Sequence, residues 1–392
     1  MSVSPESHTD RAQAIRILHV AQPTFAGVTV VVRDLVKEQI AQGLNVTVAC
    51  PETGGDLSRQ VSEVGAQWIK WEASRNPGRS VLREVQSLKK IVHNLSPDIV
   101  HLHSSKAGLA GRLAIRRSIP TVFEPNAWSF LAVSGLMYQA ATLWERWAAR
   151  WTDVAICVSG DEQATGKAVG IRCPMQIIRN GIQLDKWPRP VEGESLHARQ
   201  KLEIAHDVLH VVSVGRLCRQ KGQDLLLKAW PQVMQRFPDA RLTLVGEGAD
   251  RKNLESVAEA SVTFAGESRA VRDWYLSSDL VVMPSRWEGL SLALLEAMAT
   301  ERTVVAFEVE GMKDALSDGA GKLVTPESVT ELAAQITTML GDPVLRVAVA
   351  AKARGRVEEQ FDIRKKASAV SSLYENLISA RSDLSRNARI ES

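Results

Sequence analysis

The chain has 392 residues, of which 45% are hydrophobic and 24% are charged, and its net charge is +3. At ~100–200 residues per domain, this length predicts two soluble globular domains, each able to bury a core. The small net charge does not support a nucleic-acid-binding protein. None of the four cysteines has the C-x-x-C spacing of a zinc site, which favours buried, reduced thiols in a cytosolic protein.

The sequence does not predict a membrane-spanning protein. Residues 1–13, which we expect to form a disordered tail, lack the charged-then-apolar pattern of a signal peptide. No stretch approaches the ~20 apolar residues needed to span a bilayer. We therefore expect a cytoplasmic protein whose membrane contact would be peripheral, on the inner face of the membrane.

Strands and helices alternate from residue 14 to residue 190, which we assign to a first domain. The apolar run Ile15–Ala21 predicts a buried strand, and apolar residues then recur at helical spacing up to a strand at Asn45–Cys50. This strand–helix–strand unit implies a parallel sheet with a right-handed crossover. The later predicted elements of this domain are three strands and two helices, at Asp98–His103, about 104–117, Pro120–Glu124, about 130–150 and Asp153–Val158.

A second α/β series occupies residues 191–366, starting with a polar linker and a short helix. Two such series in succession predict two Rossmann-like, doubly wound domains that face each other across a cleft. We expect the final helix, at about 367–385, to pack back onto the first domain. The predicted strands of the second domain are Leu209–Val214, Ala240–Val245, Val262–Phe264, Asp279–Met283 and Thr303–Ala306.

Ligands of open parallel sheets bind beyond the carboxyl ends of the strands, so the loops there carry the candidate site residues. Gly27 stands at a helix start, where backbone amides can approach a phosphate, although most such glycines serve only the turn. Arg216 and Lys221 follow a strand and suit phosphate oxygens as a bidentate clamp and a point charge; a solvated basic loop is the alternative. Gly246-Glu-Gly248 is half of a dinucleotide fingerprint, and without a complete G-x-G-x-x-G a nicotinamide dehydrogenase is disfavoured.

The most informative loop follows the predicted strand Asp279–Met283. Glu288 lies in this loop, and Ser291 is a good N-cap for the helix that follows. Glu296 falls inside that otherwise apolar helix, where a carboxylate needs a partner. Ribose hydroxyls could supply one, and a buried salt bridge is the alternative, while the free amides near Leu290–Leu292 could bind phosphate.

These motifs together resemble retaining family 4 glycosyltransferases of the GT-B fold. The resemblance rests on PSRWEGLSLALLEAMA with its Glu-x7-Glu pair, on the preceding VGRLCRQKG and LVGEG, and on HLHSSKAGLAGRLA, which is similar to bacterial capsular and exopolysaccharide enzymes. It implies transfer of a sugar from a nucleotide diphosphate sugar to a hydroxyl acceptor, a glycan or lipid-linked intermediate of cell-surface polysaccharide synthesis. By frequency in the family, we expect a UDP-sugar donor.

The resemblance also implies roles for individual residues. Arg216 and Lys221 would hold the donor diphosphate, Glu288 would contact the sugar, and Glu296 would contact the ribose. No metal and no other cofactor is implied, and the sequence has no Asp-x-Asp motif. The expected catalytic residues are Glu288, Asn126, Arg216 and Lys221, and the expected donor-binding residues are Gly27, Arg216, Lys221, Gly266, Ser268, Glu288, Gly289, Leu290, Ser291 and Glu296.

Asn126 departs from the family pattern. Many relatives carry a histidine here that helps to hold the sugar phosphate, whereas an asparagine can donate and accept hydrogen bonds but cannot be cationic. The glycine loop is likewise reduced to Ala26-Gly27. Two other functions therefore stay open: a different GT-B enzyme such as a sugar-nucleotide epimerase, which would use more carboxylates and histidines near the sugar, and a catalytically silent nucleotide-sugar-binding scaffold.

The acceptor is expected on the first domain. Lys106, Arg112, Arg116 and Arg117 cluster on or near one helix and suggest an anionic acceptor or membrane surface. Apolar residues recur at helical spacing in the next helical segment, and core packing is the simpler interpretation of this stripe. A dock for a membrane surface or a lipid-linked acceptor is the other. The stripe consists of Leu136, Ala140, Leu143, Trp144, Trp147 and Trp151.

Overall fold

A computed structural model describes residues 14–24, 27–53, 55–74 and 78–390. The predicted tail at residues 1–13 and the predicted loop residue Ala26 lie outside these ranges. Two parallel β-sheets, each with helices packed on it, account for the described chain. No helix of this part of the chain combines the length and the apolar character needed to cross a bilayer.

The first sheet has seven strands: β1 Arg16–Ala21, β2 Asn45–Cys50, β3 Gln67–Lys70, β4 Ile99–His103, β5 Thr121–Glu124, β6 Val154–Cys157 and β7 Met175–Ile177. They are all parallel and lie in the order β3-β2-β1-β4-β5-β6-β7. Their helices are α1 Gly27–Ala41, α2 Leu57–Glu63, α3 Val81–Leu95, α4 Ser104–Ile115, α5 Gly135–Ala148 and α6 Gly160–Ala168, with 3₁₀ turns at Ser129–Ala132, Ala149–Trp151 and Leu184–Lys186.

The second sheet has six strands: β8 His210–Val214, β9 Arg241–Val245, β10 Val262–Gly266, β11 Leu280–Met283, β12 Val304–Phe307 and β13 Lys322–Val324. They are parallel in the order β10-β9-β8-β11-β12-β13. The accompanying helices are α7 Glu194–Lys201, α8 Gln223–Arg236, α9 Arg251–Glu255, α10 Val271–Ser277, α11 Leu292–Ala299, α12 Met312–Leu316, α13 Val329–Gly341, α14 Pro343–Gln360 and α15 Ile363–Ile390.

Both sheets have the doubly wound topology that the sequence predicts. In each sheet the strand order reverses once, between β1 and β4 in the first and between β8 and β11 in the second. Loops that leave neighbouring strands in opposite directions open a crevice at such a point, and this is where ligands bind. The strands that flank the two reversals are buried apolar runs, which is why their sequences predict them well.

Helix α15 leaves the second sheet and packs on the first. Ala367, Val370 and Tyr374 belong to the same buried apolar cluster as Val32 of α1 and Ile17 of β1. The chain crosses between the sheets through a backbone bridge, in which the amide of Ile182 donates to the carbonyl of Phe361 at 2.9 Å and the amide of Ile363 donates back to Ile182 at 3.1 Å.

The motif at residues 101–114 is explained by packing of α4. A side chain on Gly108 would overlap the ring of Phe123, and one on Gly111 would overlap Leu102, so these glycines let α4 lie directly on β4 and β5. Lys106 is buried and forms a 2.6 Å ion pair with Glu84.

The predicted basic cluster is therefore wrong for two of its members, since Lys106 and Arg112 are both buried. Arg112 forms a 2.8 Å ion pair with Glu145 and stacks over Phe123. Charged groups in a core must be paired, and these pairs bind helices together instead of facing an acceptor or a membrane. Arg116 and Arg117 are exposed, and Arg117 lies 3.4 Å from Asp153.

Core packing, the simpler interpretation of the apolar stripe of α5, is also wrong. Leu136 is 82% exposed, Leu143 is 61% exposed and Trp147 is 41% exposed, so core packing does not account for this face. The helix is held to the first domain by its opposite side, where Glu145 and Ala148 are buried. The structure thus leaves an apolar helix surface facing solvent.

Gly108→Ala is expected to lower the free energy of unfolding by about 1–3 kcal/mol, because the added methyl group must displace Phe123 in a packed core. Gly160→Ala is the matched control, since a Cβ there meets nothing within 4 Å. Urea unfolding of the wild type and both variants measures the difference. Equal stabilities for the two variants would contradict the close packing of α4.

Candidate functional site

A cavity of about 360 Å³ lies between the carboxyl ends of the two sheets. It is lined from the first domain by the start of α1 and the loop after β5, and from the second by the loops after β8 and β11. The structure thus brings together most of the residues predicted from the sequence. The predicted residues that line the cavity are Gly27, Asn126, Arg216, Lys221, Glu288, Gly289, Leu290, Ser291 and Glu296.

The basic loop after β8 is locked against the loop after β11. Gly222 has a φ of +69°, and a side chain there would overlap the carbonyl oxygen of Pro284. Gln223 donates to the carbonyl of Arg216 at 3.0 Å, and the Arg216 guanidinium donates to Gln220 at 3.0 Å. These contacts hold the charged ends of Arg216 and Lys221 at the cavity wall.

The half-fingerprint at residues 246–248 supports this basic loop. A side chain on Gly246 would overlap the carbonyl oxygen of Gly215, and one on Gly248 would overlap that of Leu217. The amide of Leu217 donates to the carbonyl of Glu247 at 2.9 Å. The two glycines therefore act by letting two backbones approach closely, and the cavity lining does not include them.

Lys221 and Glu288 form an ion pair across the cavity wall. Both are largely buried, and Ser285 donates to the same Glu288 oxygen at 3.1 Å. An anion that enters beside Lys221 would share its positive charge with Glu288. The pair therefore compensates a largely buried cation with a largely buried carboxylate.

The loop that carries Glu288 ends at the N-terminus of α11. Ser291 has the extended backbone of an N-cap, as predicted, and the first amides of α11 lie beside residues that line the cavity. A side chain on Gly311 would overlap the carbonyl of Gly289, so the chain after β12 supports this turn from outside. Unpaired amides at a helix start suit a phosphate or another anion.

Asn126 occupies a constrained turn on the opposite wall. Its φ is +52° and that of Ala127 is +87°. Asparagine tolerates this left-handed region, whereas alanine adopts it only when its surroundings impose it. The Ala127 amide donates to Glu162 Oε1 at 2.7 Å, and the other oxygen of Glu162 accepts from the Val158 amide at 2.6 Å. Burial raises the pKa of Glu162 to about 7. This buried carboxyl group fixes the turn that presents Asn126 to the cavity.

Glu296 lines the cavity from the middle of α11. Among the described residues it has no ion-pair partner, so a buried salt bridge does not account for it. Burial, with a further contribution from the charge of Asp34, raises the pKa of Glu296 to about 8. A ligand that donates hydrogen bonds to Glu296 would favour its ionised form.

Gly266 and Ser268 do not line this cavity. Gly266 ends β10, with a φ of +74°, and its carbonyl accepts from the Gly246 amide at 2.8 Å. The Ser268 hydroxyl accepts from the Ala270 amide at 3.1 Å and the Trp274 indole at 3.2 Å. These two predicted donor-binding positions thus lie on the next loop of the sheet, beside the 246–248 turn.

Sequence reasoning missed a buried polar network under the cavity floor. His19 of β1 pairs in register with His101 of β4, and His103 lies on the same face two residues later. His19 shares a 2.8 Å hydrogen bond with each of His103 and Gln39, while His101 and His103 face Glu124 at 3.4 and 3.9 Å. The H-x-H pattern of β4 is visible in the sequence. It forms a network with His19 only because the fold places β1 beside β4.

One ring nitrogen from each of the three histidines lies within 4.8 Å of the other two, close enough to consider a metal ion. However, His19 uses both ring nitrogens in hydrogen bonds, and Lys366 already places a positive charge beside Glu124, 2.8 Å away. Burial lowers the pKa of His19 to about 3, so it stays neutral. We therefore interpret the cluster as a hydrogen-bonded network around an ion pair.

Comparison with known proteins agrees with this architecture. The family model described as Glycosyltransferase Family 4 matches residues 25–186, and that described as Glycosyl transferases group 1 matches residues 209–342. The crystal structure of HepE from Anabaena with UDP and glucose is similar with a TM-score of 0.80 at 21% identity, covering 92% of this chain and 99% of HepE.

Two bacterial enzymes are among the similar sequences. The UDP-Gal:alpha-D-GlcNAc-diphosphoundecaprenol alpha-1,3-galactosyltransferase of Escherichia coli is 24% identical over 379 residues, which cover 93% of this chain and 97% of that protein. The lipopolysaccharide core mannosyltransferase LpsB of Rhizobium meliloti is 27% identical over 250 residues, covering 60% of this chain and 69% of LpsB.

Two facing Rossmann-like domains, with a basic loop and a glutamate-bearing helix start between them, define a glycosyltransferase of the GT-B fold. The two family models leave only the chain ends and the crossing between the domains unmatched. The chain is thus a glycosyltransferase whose first domain matches the Glycosyltransferase Family 4 model and whose second domain matches the Glycosyl transferases group 1 model.

Glu296→Gln is expected to stabilise the ligand-free protein, increasingly so as the pH rises from about 4.5 towards 8. Over this range the unfolded chain has released the Glu296 proton while the folded protein still holds it, so ionisation favours unfolding. Urea unfolding at several pH values measures the effect, with exposed Glu259→Gln as the control. A gain that does not depend on pH would contradict the raised pKa.

Proposed function

We propose that the protein transfers a sugar, with retention of anomeric configuration, from a UDP-sugar to a hydroxyl acceptor. The observation that carries this proposal is the Lys221–Glu288 pair, which lies between Arg216 and the start of α11 at the cavity wall. A diphosphate fits the two cations and the free amides, and the sugar attached to it would lie beside Glu288. The UDP and glucose bound to HepE, which has the same fold, support the choice of donor.

In this mechanism the leaving diphosphate is stabilised by the protein alone. Arg216, Lys221 and the first amides of α11 meet the negative charge that develops as the glycosidic bond breaks. Glu288 then exchanges part of its contact with Lys221 for hydroxyl groups of the sugar. Glu296 accepts hydrogen bonds from the ribose, and Asn126 donates to the sugar phosphate from the opposite wall. The leaving phosphate helps to deprotonate the acceptor, so a metal ion is not required.

The composition of the cavity favours a transferase over a sugar-nucleotide epimerase. Among the described residues, its lining contains two carboxylates, Glu288 and Glu296, and no histidine. An epimerase was expected to place more carboxylates and histidines near the sugar. A silent scaffold would have no need of a sugar-contacting carboxylate held in place by both Lys221 and Ser285.

Wild-type protein is expected to turn over a UDP-sugar in excess chelator.

Arg216→Ala and Lys221→Ala should each weaken UDP binding by roughly 1.5–3 kcal/mol, the usual value of a charged hydrogen bond. Uridine binding should change much less, because uridine lacks the diphosphate. Calorimetric titration of both ligands measures the difference, and exposed Arg219→Ala from the same loop is the control. Equal losses for UDP and uridine would separate these residues from the diphosphate.

We further propose that the acceptor is a lipid-linked intermediate of cell-surface polysaccharide synthesis, reached at the inner face of an anionic membrane. The name of the Escherichia coli relative includes a diphosphoundecaprenol acceptor, which supports this choice. The exposed apolar face of α5 is the surface that would enter the membrane interface.

Charges around α5 support an anionic surface. Glu145, the one acid of this helix, is buried in its pair with Arg112. Arg150 lies over the Trp147 ring at 4.9 Å, and Arg116 over the Trp151 ring at 5.4 Å, so basic groups border the aromatic side chains. This combination of exposed leucines, tryptophans and arginines is typical of interfacial helices.

Full-length protein is expected to co-sediment with vesicles of anionic phospholipid at low salt and to be released as salt rises, at ~1 kcal/mol of attraction per basic residue near the surface. Leu136→Asn with Leu143→Asn should reduce binding without loss of stability, since both side chains are exposed. Leu82→Asn is the matched control, being an equally exposed leucine on α3. Equal binding by all three proteins would exclude the α5 surface.

A further inference from the structure

Lys366 is a buried cation to which the donor site described above gives no role. It is the fourth residue of α15, and its side chain is 1% exposed. Its ammonium group donates to Glu124 Oε1 at 2.8 Å and to Asn180 Oδ1 at 2.7 Å. A helix that returns from the second domain thus places a charge between two segments of the first.

Both partners of Lys366 are connected to the cavity. Glu124 ends β5, and its carbonyl accepts a 3.4 Å hydrogen bond from the side chain of Asn126. Asn180 lines the cavity, and its amide nitrogen donates to the carbonyl of Leu290 at 3.4 Å, in the loop between Glu288 and α11. One ammonium group therefore connects the Asn126 wall to the loop that carries Glu288.

The chain crossing fixes where Lys366 can lie. A side chain on Gly181 would overlap the backbone of Asp362 and Ile363, and the bridge at Ile182 holds the same two strands of chain together. This crossing is next to Asn180 in sequence, and it is also next to Lys366 along α15. Asn180 and Lys366 therefore cannot move far apart. Lys366 is thus held in register with the cavity by backbone contacts on both sides.

The charges around Lys366 and Glu124 also favour a defined position for the ammonium group. Although burial opposes ionisation of Glu124, the ammonium of Lys366 and the neighbouring histidines hold the pKa of this carboxyl well below its usual range. A buried ion pair of this kind contributes little to stability compared with apolar side chains. Here the ammonium group of Lys366 joins Glu124 to Asn180 at 2.8 and 2.7 Å. Its retention under a cavity floor is explained if that geometry is used.

We propose that Lys366 is a positioning residue for sugar transfer, which holds Asn126 and the Glu288 loop at a fixed separation through Glu124 and Asn180. This inference rests on the proposed transfer reaction. Lys366 touches neither donor nor acceptor, so its loss should change the rate of the chemical step more than the binding of the nucleotide. Misplacement of reacting groups by about 1 Å can cost as much as 100-fold in rate.

The test uses a double variant, Lys366→Met with Glu124→Gln, which removes both charges of the buried pair together. The control is Lys365→Met, which removes an exposed lysine from the same helix. For the double variant we expect kcat to fall roughly tenfold or more, with the Kd of UDP within about threefold of the wild type. Lys365→Met should leave both unchanged. Wild-type kcat in the folded double variant would overturn the proposal, as would equal losses in kcat and UDP affinity.

Lys366→Arg is the test if the double variant does not fold, because it keeps a cation at this position while replacing the ammonium group with a larger, planar guanidinium. A reduced kcat at unchanged UDP affinity is expected, and a wild-type kcat would overturn the proposal. Absence of turnover by the wild type would contradict the proposed function alone. The side-chain amide signal of Asn180 in ¹⁵N NMR spectra then supplies the readout: it should shift in Lys366→Arg and stay unchanged in Lys365→Met, and no shift in either would overturn the positioning role.

Discussion

The contact between the loops after β8 and β11 is the constraint on which the site depends. The absence of a side chain at Gly222 lets its backbone lie against the carbonyl of Pro284, and only this approach brings Lys221 to Glu288. The contact exists because the strand order of the second sheet reverses between these two strands. The topology therefore determines the chemistry, since it places a cation from one loop and a carboxylate from the other at one cavity wall.

The two carboxylates that line the cavity differ in their partners. Lys221 is compensated by Glu288, but Glu296 has no partner among the described residues, and its pKa is raised to about 8 by burial and by Asp34. In the proposed complex, the ribose hydroxyls would donate hydrogen bonds to Glu296, and the diphosphate would place anionic oxygens beside Lys221. Binding should therefore be coupled to proton release from Glu296 near neutral pH.

Sequence patterns predicted the central strands and half of the residues that line the cavity, because both depend on local signals. Buried apolar runs mark the strands beside each reversal, and the loops after them hold Arg216, Lys221 and Glu288. The short strands β3, β7 and β13 were missed, since three or four residues at or near a sheet edge give little periodicity. Lys106 was misassigned because its partner Glu84 is 22 positions away, a pairing that no local pattern reveals.

Helix α15 has a consequence for how the chain matures on the ribosome. The core of the first domain includes Val370 and Tyr374, so the first sheet cannot bury its full apolar surface until residue 374 has been synthesised. The first domain therefore reaches its full packing only after the second domain has been translated. A stop codon shortly before residue 363 would thus release a chain whose second sheet is intact but whose first sheet lacks its last covering helix.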